Sequence, residues 1–421
     1  MHIIFVTFEL ATKNNSSGGL ATFTANISRI FRNNGNMVEI LWVTTREVDF
    51  IFDQDIAVHN LYIPLEEWKE YDYISNLLAD NEEEAREIRI NWQNVYKAKM
   101  VSSKIQEINK VNKVDVVHFA NHCSFSLFMD PAIPFVTRIS GFENIWFGGG
   151  DRVGGSIEYD DNPLSVSDKI EIHAMKKSPF VMAPSNLIAE LGYKNIGISA
   201  EVIESPFVLE NFEYDDSVFY EYLNEKKYLL VYGSLRYLKG VHVIAHMAQN
   251  FLEKYQDRYI ALAGSDMLLT DDTDGVELSA SEYVKKHAGK YADRVIYVGR
   301  IVREQLYPVI EGAELCILPS RIENLSNSCI EAMALGKIVV ATGGASYEQL
   351  IRDGENGYLC ERDNPNDFLR GVEKVLSLSE MEKRAVSLNA EKTVERLRPD
   401  RLYPQYYKYY EKVIREWGKR T

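Results

Sequence analysis

A polar loop between an apolar strand and a helix carries the side chains best suited to chemistry. The apolar run 315–318 predicts a buried strand; Glu323 lies in the loop that follows it, and Glu331 lies within the first turn or so of the next helix. Small polar side chains occupy Asn324, Ser326, Asn327 and Ser328. Backbone amides at a helix N-terminus bind anions, because the helix dipole favours negative charge there. Amides for a diphosphate, with carboxylates for hydroxyl groups on either side, indicate a nucleotide-sugar site.

The same residues also permit a purely structural interpretation. Ser328 and Glu331 are three positions apart, which is the spacing of a capping box. In that case Glu331 would close the helix N-terminus and bind no ligand. The pattern by itself leaves both interpretations open.

The stretch resembles a known enzyme family. Glu323 and Glu331, with seven residues between them, match the Glu-x7-Glu motif of the retaining family-4 glycosyltransferases, and the match continues through 331–348 and 353–359. The resemblance covers the C-terminal half well and the N-terminal half more thinly. It implies an α/β protein with the GT-B fold, in which two Rossmann-like domains with parallel sheets face a central cleft and a C-terminal helix crosses back to the first domain.

The length of 421 residues is sufficient for two domains, each with its own core. On the resemblance, residues 1–207 form an N-terminal Rossmann-like acceptor-binding domain, and residues 208–400 form a C-terminal Rossmann-like domain for the nucleotide sugar. Residues 401–421 form a helix that packs back on the first domain. The tyrosines of 403–410 suit such a contact, since their rings are apolar and their hydroxyls polar.

Composition restricts the partners and the compartment. A net charge of −15 disfavours electrostatic binding of nucleic acid. The four cysteines show no paired close spacing, so we expect buried thiols in a reducing compartment rather than disulfides or zinc. No run approaches the roughly 20 apolar residues of a membrane span. We therefore expect a cytoplasmic protein.

Lysines alternate with apolar residues between positions 96 and 113. This stretch is either a plain surface helix or a weakly basic helix that touches a membrane surface. Weak peripheral contact with the inner membrane surface is therefore the most that we expect.

The resemblance assigns roles to the donor-binding residues. Lys239 matches the phosphate-binding lysine, but Ser234 replaces the arginine of the pattern, and Arg236 could supply the missing charge. Glu331 would bind the ribose hydroxyls and Glu323 the donor sugar. Ile301 falls where the family holds the base against backbone. The full donor-binding set is Gly18, Gly19, Arg236, Lys239, Ile301, Asn324, Leu325, Ser326, Asn327, Ser328 and Glu331.

Gly18 and Gly19 stand at a strand-to-helix crossing. Glycines there allow a ligand to approach the backbone closely, although a flexible turn would have the same sequence. In the family, such a pair turns toward the donor phosphates and sugar.

The segment 115–122 departs from the family at a catalytic position. Many members read Asp-x-x-His-x-His here, and the second histidine lies close to the reacting sugar; in this chain that position is Ala120. His122 either restores the imidazole from two positions later or is an ordinary loop histidine. His118, inside the strand, is expected to be a core histidine. The predicted catalytic residues are Glu323 and His122.

Arg138 and Trp146 are the predicted acceptor-binding residues. Arg138 lies near the end of a predicted strand, and Ser140 stands where family members often have histidine. Trp146 opens a loop of aromatics and glycines, 146–152, which could stack on a sugar ring or could anchor itself by burial.

The turn 271–275 is rich in aspartate, but no glutamate falls at the spacing of an EF-hand loop. We expect a solvated turn that binds no metal.

The combined prediction is a retaining, metal-independent and cofactor-free glycosyltransferase. It would move a hexose from a nucleotide sugar, with UDP as the expected carrier, to a hydroxyl of a saccharide or lipid-linked saccharide in polysaccharide or glycoconjugate biosynthesis. One alternative is a sugar-nucleotide epimerase or a phosphorylase on the same fold. Another is a catalytically silent nucleotide-sugar-binding protein, because Ala120, Ser140 and Ser234 replace residues that the family often uses.

Overall fold

The computed structural model describes residues 1–12, 18–45, 47–48, 50–64, 69–209 and 213–419. The chain forms two compact units, each built from more than one stretch of sequence. Unit 1 comprises Met1–Asn144, Pro163–Val208 and Leu397–Thr421, and unit 2 comprises Ile145–Asn162 and Leu209–Arg396. The predicted boundaries at 207/208 and 400/401 lie near two of the points at which the chain passes from one unit to the other. The segment Ile145–Asn162, called the excursion below, belongs to unit 2 and has no counterpart in the prediction.

Unit 1 contains a seven-stranded sheet in which all neighbouring strands are parallel. Its strands are β1 His2–Thr7, β2 Met37–Thr44, β3 Ala57–Tyr62, β4 Val116–Ala120, β5 Phe135–Arg138, β6 Val181–Ala183 and β7 Glu201–Val202. Their order in space is β3-β2-β1-β4-β5-β6-β7. Every residue of β1 and β4 is buried, because helices cover both faces of a parallel sheet.

The described residues of unit 1 form five α-helices before its last segment. They are α1 Gly19–Asn33, α2 Lys69–Leu78, α3 Glu82–Val111, α4 Val166–Lys177 and α5 Asn186–Ile196. The lysine-containing stretch 96–113 lies largely within α3. Val101 and Ile105 of this stretch are fully buried, as in an ordinary packed helix.

The C-terminal helix, Pro399–Trp417, packs within unit 1. The Tyr410 hydroxyl lies 2.7 Å from Nδ1 of His118, and Trp417 Nε1 donates to the carbonyl of Pro131 at 2.8 Å. Aromatic rings with a polar tip satisfy both requirements of such a contact, since they fill the core and also bond buried polar groups.

Unit 2 contains a six-stranded parallel sheet and a separate antiparallel hairpin. The sheet consists of β8 Lys227–Tyr232, β9 Arg258–Ala263, β12 Val295–Tyr297, β13 Leu315–Leu318, β14 Val339–Thr342 and β15 Tyr358–Cys360, in the order β12-β9-β8-β13-β14-β15. The hairpin pairs β10 Leu268–Thr270 with β11 Glu277–Ser279. The helices are α6 Val241–Lys254, α7 Ala280–Ala288, α8 Arg303–Gly312, α9 Asn327–Ala334, α10 Pro365–Ser377 and α11 Glu380–Val394.

Two parallel-sheet α/β units and a helical C-terminus confirm the predicted fold class. All four cysteines are free thiols in the structure; Cys316, Cys329 and Cys360 are buried as predicted, whereas Cys123 is half-buried. Within the described ranges, no helix is both long and apolar enough to cross a membrane.

Candidate functional site

The polar loop after β13 leads into α9 through a serine N-cap. The hydroxyl of Ser326 accepts a hydrogen bond from the amide of Cys329 at 3.3 Å. The helix therefore begins two residues earlier than a capping box at Ser328 requires, and Glu331 lies beyond its first turn. The capping-box interpretation is wrong, because the residue three positions after the true N-cap is Cys329, which carries no carboxylate.

Lys239 and Glu323 meet beside this loop. Nζ of Lys239 lies 2.5 Å from Oε1 of Glu323, and the Lys239 side chain is 33% exposed against 13% for Glu323. The hydroxyl of Ser320 also donates to Oε1 of Glu323, at 2.8 Å, and accepts from the Tyr347 hydroxyl at 3.2 Å. Two donors therefore fix the predicted catalytic carboxylate, and one of them is the predicted phosphate-binding lysine.

Gly240 explains why Lys239 reaches the loop. Lys239 ends a 3₁₀ turn, Tyr237–Lys239, and Gly240 follows with φ of 74° at the N-cap of α6. A Cβ at Gly240 would stand 1.9 Å from the carbonyl oxygen of Pro319. The glycine is needed both for its left-handed backbone and for this close approach. It brings the start of α6 against the loop after β13.

Glu331 is buried and has a cationic neighbour. Its side chain is 9% exposed, and Oε1 lies 3.4 Å from Nε of Arg303, the first residue of α8. A buried carboxylate is costly unless it is paired, so Arg303 belongs to this site. Sequence reasoning missed Arg303, although it lies only two residues beyond Ile301, itself half-buried and predicted to border the base.

The rest of the predicted donor segment is tightly held. Leu325 is 8% exposed, and the carbonyl of Asn324 accepts a hydrogen bond from the Ser346 hydroxyl at 2.7 Å. The carbonyl of Ser328 accepts from the hydroxyl of Tyr232, at the end of β8. Ser326 is buried, while Asn327 and Ser328 are half-buried in the first turn of α9. The structure thus brings residues 323–331 and Lys239 together on one side of unit 2.

Arg236 is engaged by a carboxylate. Its Nε donates to Oδ2 of Asp151 at 2.7 Å, and its guanidinium lies 5.4 Å from the centre of the Phe147 ring. Oδ1 of Asp151 accepts from the amide of Leu238 at 2.8 Å. The predicted phosphate contact of Arg236 stays a prediction, but the observed partner is an acidic side chain of the excursion Ile145–Asn162.

Arg321 provides a second anchor for that excursion, and sequence reasoning missed it too. Its Nη1 donates to the carbonyl of Gly150 and its Nη2 to the carbonyl of Gly155, both at 2.8 Å, while Nε bonds Asp363 at 2.9 Å. Trp146, the predicted acceptor-binding aromatic, is half-buried in this segment. The predicted loop therefore belongs to unit 2, not to the first domain, because two arginines of unit 2 hold it.

In unit 1, Gly18 and Gly19 are exposed at the start of α1, with Gly18 as the N-cap. A Cβ at Gly18 would lie 3.3 Å from Oε2 of Glu9. Burial raises the pKa of Glu9. Sequence reasoning missed Glu9, because a single carboxylate after a strand carries no distinguishing pattern.

His122 lies among carboxyl groups. Its Nδ1 is 3.8 Å from Glu171 and 3.9 Å from Glu143, both beyond hydrogen-bonding distance. Burial lowers the pKa of His122 to about 4, a hydrogen bond with the Ser140 backbone raises it, and the charge of Arg138 lowers it further. The imidazole is therefore neutral at pH 7.

Glu171 and Glu143 are shifted in the opposite direction. Burial, followed by the charge of Glu143, raises the pKa of Glu171 well above its usual range, although a hydrogen bond from Asn121 at 2.6 Å opposes this. Burial also raises the pKa of Glu143. These carboxyl groups retain their protons to higher pH than exposed ones and can then donate as well as accept hydrogen bonds.

His118 and Arg138 lie in the core of unit 1. His118 is 3% exposed beside Tyr410, which agrees with its prediction as a core histidine. Arg138 is 5% exposed; it donates to the hydroxyls of Ser140 and Ser205 at 2.9 and 2.8 Å. Its predicted role in acceptor binding stays a prediction, and the observed contacts are internal to unit 1.

Two groups of side chains in the part of the chain that the structure describes could hold a metal ion. They are His122 with Glu143 and Glu171 in unit 1, and His246 with Asp272 and His287 in unit 2. In each group the ligand atoms lie within 4.8 Å of one another. Neither group includes Lys239, Glu323 or Glu331.

The part of the chain that holds these residues matches a known protein family. Residues 217–392 match the family described as glycosyl transferases group 1. Most of unit 2 is therefore similar to the group 1 glycosyl transferases. The match contains Lys239, Glu323 and Glu331, the residues that the structure brings together.

The curated proteins that this chain resembles are distant relatives. An uncharacterized glycosyltransferase of Haemophilus influenzae is 28% identical over 194 residues, covering 46% of this chain and 48% of its own. A D-inositol 3-phosphate glycosyltransferase of Corynebacterium urealyticum is 26% identical over 152 residues, 34% of each chain. The sequence matches thus span about half or less of the length of the curated relatives.

Solved structures share the fold over nearly the whole chain. Sucrose-phosphate synthase from Thermosynechococcus elongatus has a TM-score of 0.71 at 15% identity, covering 98% of this chain and 99% of its own. TarM of S. aureus, solved with fondaparinux, alpha-GlcNAc-glycerol and UDP, has a TM-score of 0.66 at 12% identity, covering 97% and 100%. The predicted GT-B glycosyltransferase resemblance is confirmed, while the retaining chemistry and the role of the Glu-x7-Glu pair stay predictions.

Proposed function

We propose that the chain is a retaining glycosyltransferase that moves a hexose from a UDP-sugar to a hydroxyl of a saccharide or lipid-linked saccharide acceptor. The observation that carries this proposal is the meeting of Lys239 and Glu323 at 2.5 Å, beside the N-terminus of α9, within the matched glycosyltransferase domain. A cation, a carboxylate and helix amides at one place suit a diphosphate joined to a sugar.

UDP is proposed as the carrier because structural neighbours use it. TarM was solved with UDP, and the trehalose-phosphate synthase of Burkholderia xenovorans, with a TM-score of 0.68 at 10% identity, is described as UDP-forming. We propose polysaccharide or glycoconjugate biosynthesis in the cytoplasm as the setting, with the inner membrane surface as the place of action if the acceptor is lipid-linked.

Donor binding would separate Lys239 from Glu323, because the two side chains would contact different parts of the nucleotide sugar. The ammonium would turn to the diphosphate, together with the first amides of α9, and Glu323 would be released to hydroxyls of the donor sugar. Glu331 would accept hydrogen bonds from the ribose, and Arg303, 3.4 Å from its carboxylate, would offset its negative charge. The observed ion pair places Lys239 and Glu323 beside the loop that would receive the donor.

The catalytic contribution proposed for Lys239 and the amides is electrostatic. Negative charge grows on the diphosphate as it leaves, and preorganised donors at that position stabilise it in the transition state. The acceptor hydroxyl would attack on the face from which the diphosphate departs, and a phosphate oxygen would take its proton. His122 is the proposed histidine beside the reacting sugar; its lowered pKa makes it a neutral hydrogen-bonding partner. No metal or other cofactor is needed for these steps.

The deciding experiment is product analysis with UDP-, GDP- and ADP-hexoses, each tested alone and with a panel of saccharide and lipid-linked acceptors. We expect a new glycoside only when a UDP-sugar and an acceptor are both present, with the anomeric configuration of the donor by NMR. Conversion of donor alone would instead identify an epimerase. Saturable UDP binding without any product would identify a silent binding protein. The Glu323→Gln variant is the control for a contaminating activity.

A further inference from the structure

A cluster of two histidines and an aspartate lies in unit 2, apart from the residues assigned to donor binding. His246 lies in α6, Asp272 in the turn after β10, and His287 in the last turn of α7. One ring nitrogen of each histidine and one carboxylate oxygen of Asp272 lie within 4.8 Å of one another. Three separate elements therefore direct metal-ligating atoms to one place.

Contacts within the cluster, and one with Tyr283, orient the three side chains. Nε2 of His246 lies 2.8 Å from Oδ2 of Asp272, and the centres of the His246 and His287 rings are 4.6 Å apart with a T-shaped geometry. The hydroxyl of Tyr283 donates to the other oxygen of Asp272, Oδ1, at 2.8 Å. Such an outer partner fixes the carboxylate and leaves Oδ2 facing the imidazole, as around many metal sites.

Asp271 is a buried neighbour of the cluster and contacts His287. Its side chain is fully buried, and Oδ2 lies 3.3 Å from Nε2 of His287 and 2.7 Å from Nζ of Lys286. The prediction of a solvated turn at 271–275 is wrong at this residue. Its carboxylate bonds a lysine, a histidine and Thr273 instead of water. A carboxylate that bonds a histidine ring is the usual outer partner of a ligating imidazole.

We propose that His246, Asp272 and His287 bind one divalent transition-metal ion of the zinc class. Two imidazoles and one carboxylate are a common ligand set for Zn²⁺, with water completing a tetrahedron. Bonds of about 2.1 Å would place the ligand atoms about 3.4 Å apart. Nε2 of His246 and Oδ2 of Asp272, now 2.8 Å apart, would therefore separate slightly, and the His287 ring would adjust its position by rotation. On binding, the ion would take the place of the hydrogen between Nε2 of His246 and Oδ2 of Asp272, and the neutral imidazole would carry its proton on Nδ1.

The expected role of the ion is structural. It would join α6, α7 and the turn after β10; α7 packs against both α6 and β10 in unit 2. The first residue of α6 is separated from Lys239 only by Gly240, so the ion would stabilise the helix that follows the lysine. The proposal does not depend on the proposed glycosyl transfer, and none of the three ligands is assigned to donor or acceptor.

The test is calorimetric titration of the tag-free full chain with ZnCl₂. We expect one saturable site, and loss of more than about tenfold in affinity on His246→Ala, His287→Ala or Asp272→Asn, since even outer-partner changes cost about 10–100-fold. Zinc should raise the melting temperature of the wild type and not that of these variants. His173→Ala is the control for adventitious imidazole binding, because His173 is exposed. His122→Ala is the control for the cluster in unit 1.

Co²⁺ offers a second readout, because its visible absorption reports the ligand geometry at the bound ion. The wild type and His173→Ala should give the same spectrum, and His287→Ala should not. Comparison of melting temperatures in the absence of metal shows whether a variant is folded. The proposal is overturned if the wild type shows no saturable zinc site. It is also overturned if His246→Ala and His287→Ala, while folded, bind zinc as the wild type does, or if only His122→Ala abolishes binding.

Discussion

Nζ of Lys239 and Oε1 of Glu323, 84 residues apart in sequence, form an ion pair at the start of the proposed donor site. The pair means that neither group can be changed without exposing the other to a new electrostatic environment. Effects of the two substitutions should therefore not add, since coupling is expected between residues in direct contact.

Lys239→Ala should weaken UDP binding far more than it reduces stability. Loss of a charge-assisted hydrogen bond removes about 1.5–3 kcal/mol of binding free energy. Stability should change less than binding, because the Lys239 side chain is one-third exposed and the Ser320 hydroxyl still donates to Glu323 after the lysine is removed. Calorimetry with UDP and thermal melting measure the two effects. Unchanged UDP affinity would reject the phosphate-binding role.

Glu331→Gln and Glu323→Gln should differ in their kinetics. Ribose is present in substrate and transition state alike, so loss of the Glu331 carboxylate should appear chiefly as a higher KM. Glu323 is proposed to contact the sugar as positive charge develops, so its loss should lower kcat and leave UDP affinity nearly intact. Steady-state kinetics on both variants would contradict the assignment if the two profiles were the same.

Ser326→Ala is the matched test of helix capping in α9. Loss of this N-cap should lower the free energy of unfolding by about 0.5–2 kcal/mol. Ser328→Ala, at the position of the rejected capping box, should cost less. Urea denaturation of both variants measures the difference, and equal losses would argue against Ser326 as the N-cap.

Arg236→Ala should release the excursion Ile145–Asn162 rather than abolish nucleotide binding. Its guanidinium is paired with Asp151, and Asp151→Asn should reproduce the effect. Limited proteolysis should therefore cut this segment faster in both variants. A loss of UDP affinity as large as that of Lys239→Ala, without faster cleavage, would instead favour a phosphate role for Arg236.

The buried His118 should make stability depend on pH. Burial, followed by the charge of Arg138, lowers its pKa from 6.5 to about 3. Between these values the unfolded chain binds a proton and the folded chain does not, so stability falls as pH falls through this window. The slope should be at most about 1.4 kcal/mol per pH unit for this residue. His118→Gln should flatten the profile between pH 6 and 4; a profile as steep as that of the wild type would contradict this.

Much of the fold could be predicted because buried parallel strands appear in the sequence as continuous apolar runs. The run 315–318 coincides with β13, and the polar loop after it carries the predicted carboxylates. Local patterns of this kind are set by the backbone and by burial, which a sequence displays directly.

The polar pairs could not be predicted in the same way. Arg236 meets Asp151 and Arg303 meets Glu331 through tertiary packing, and neither pair has a characteristic spacing in sequence. The buried Asp271 was misread for the same reason, because its partner Lys286 comes from a different element. The sequence also left open whether α9 begins with a capping box at Ser328, since several small polar side chains in a row offer equivalent caps; the N-cap is Ser326, two residues earlier.

The chain leaves unit 1 after Asn144 and returns at Pro163 before the greater part of unit 2 has been reached. During synthesis, Ile145–Asn162 therefore emerges well before Arg321, whose guanidinium binds two of its carbonyls. Unit 2 cannot finish folding until Ile145–Asn162 packs against it. Both ends of this segment are connected to unit 1, so the folding of unit 2 depends on a segment that lies between two parts of unit 1 in the sequence. A fragment that begins at Leu209 would lack that piece, and an exchange of domains with a relative would have to carry both stretches together.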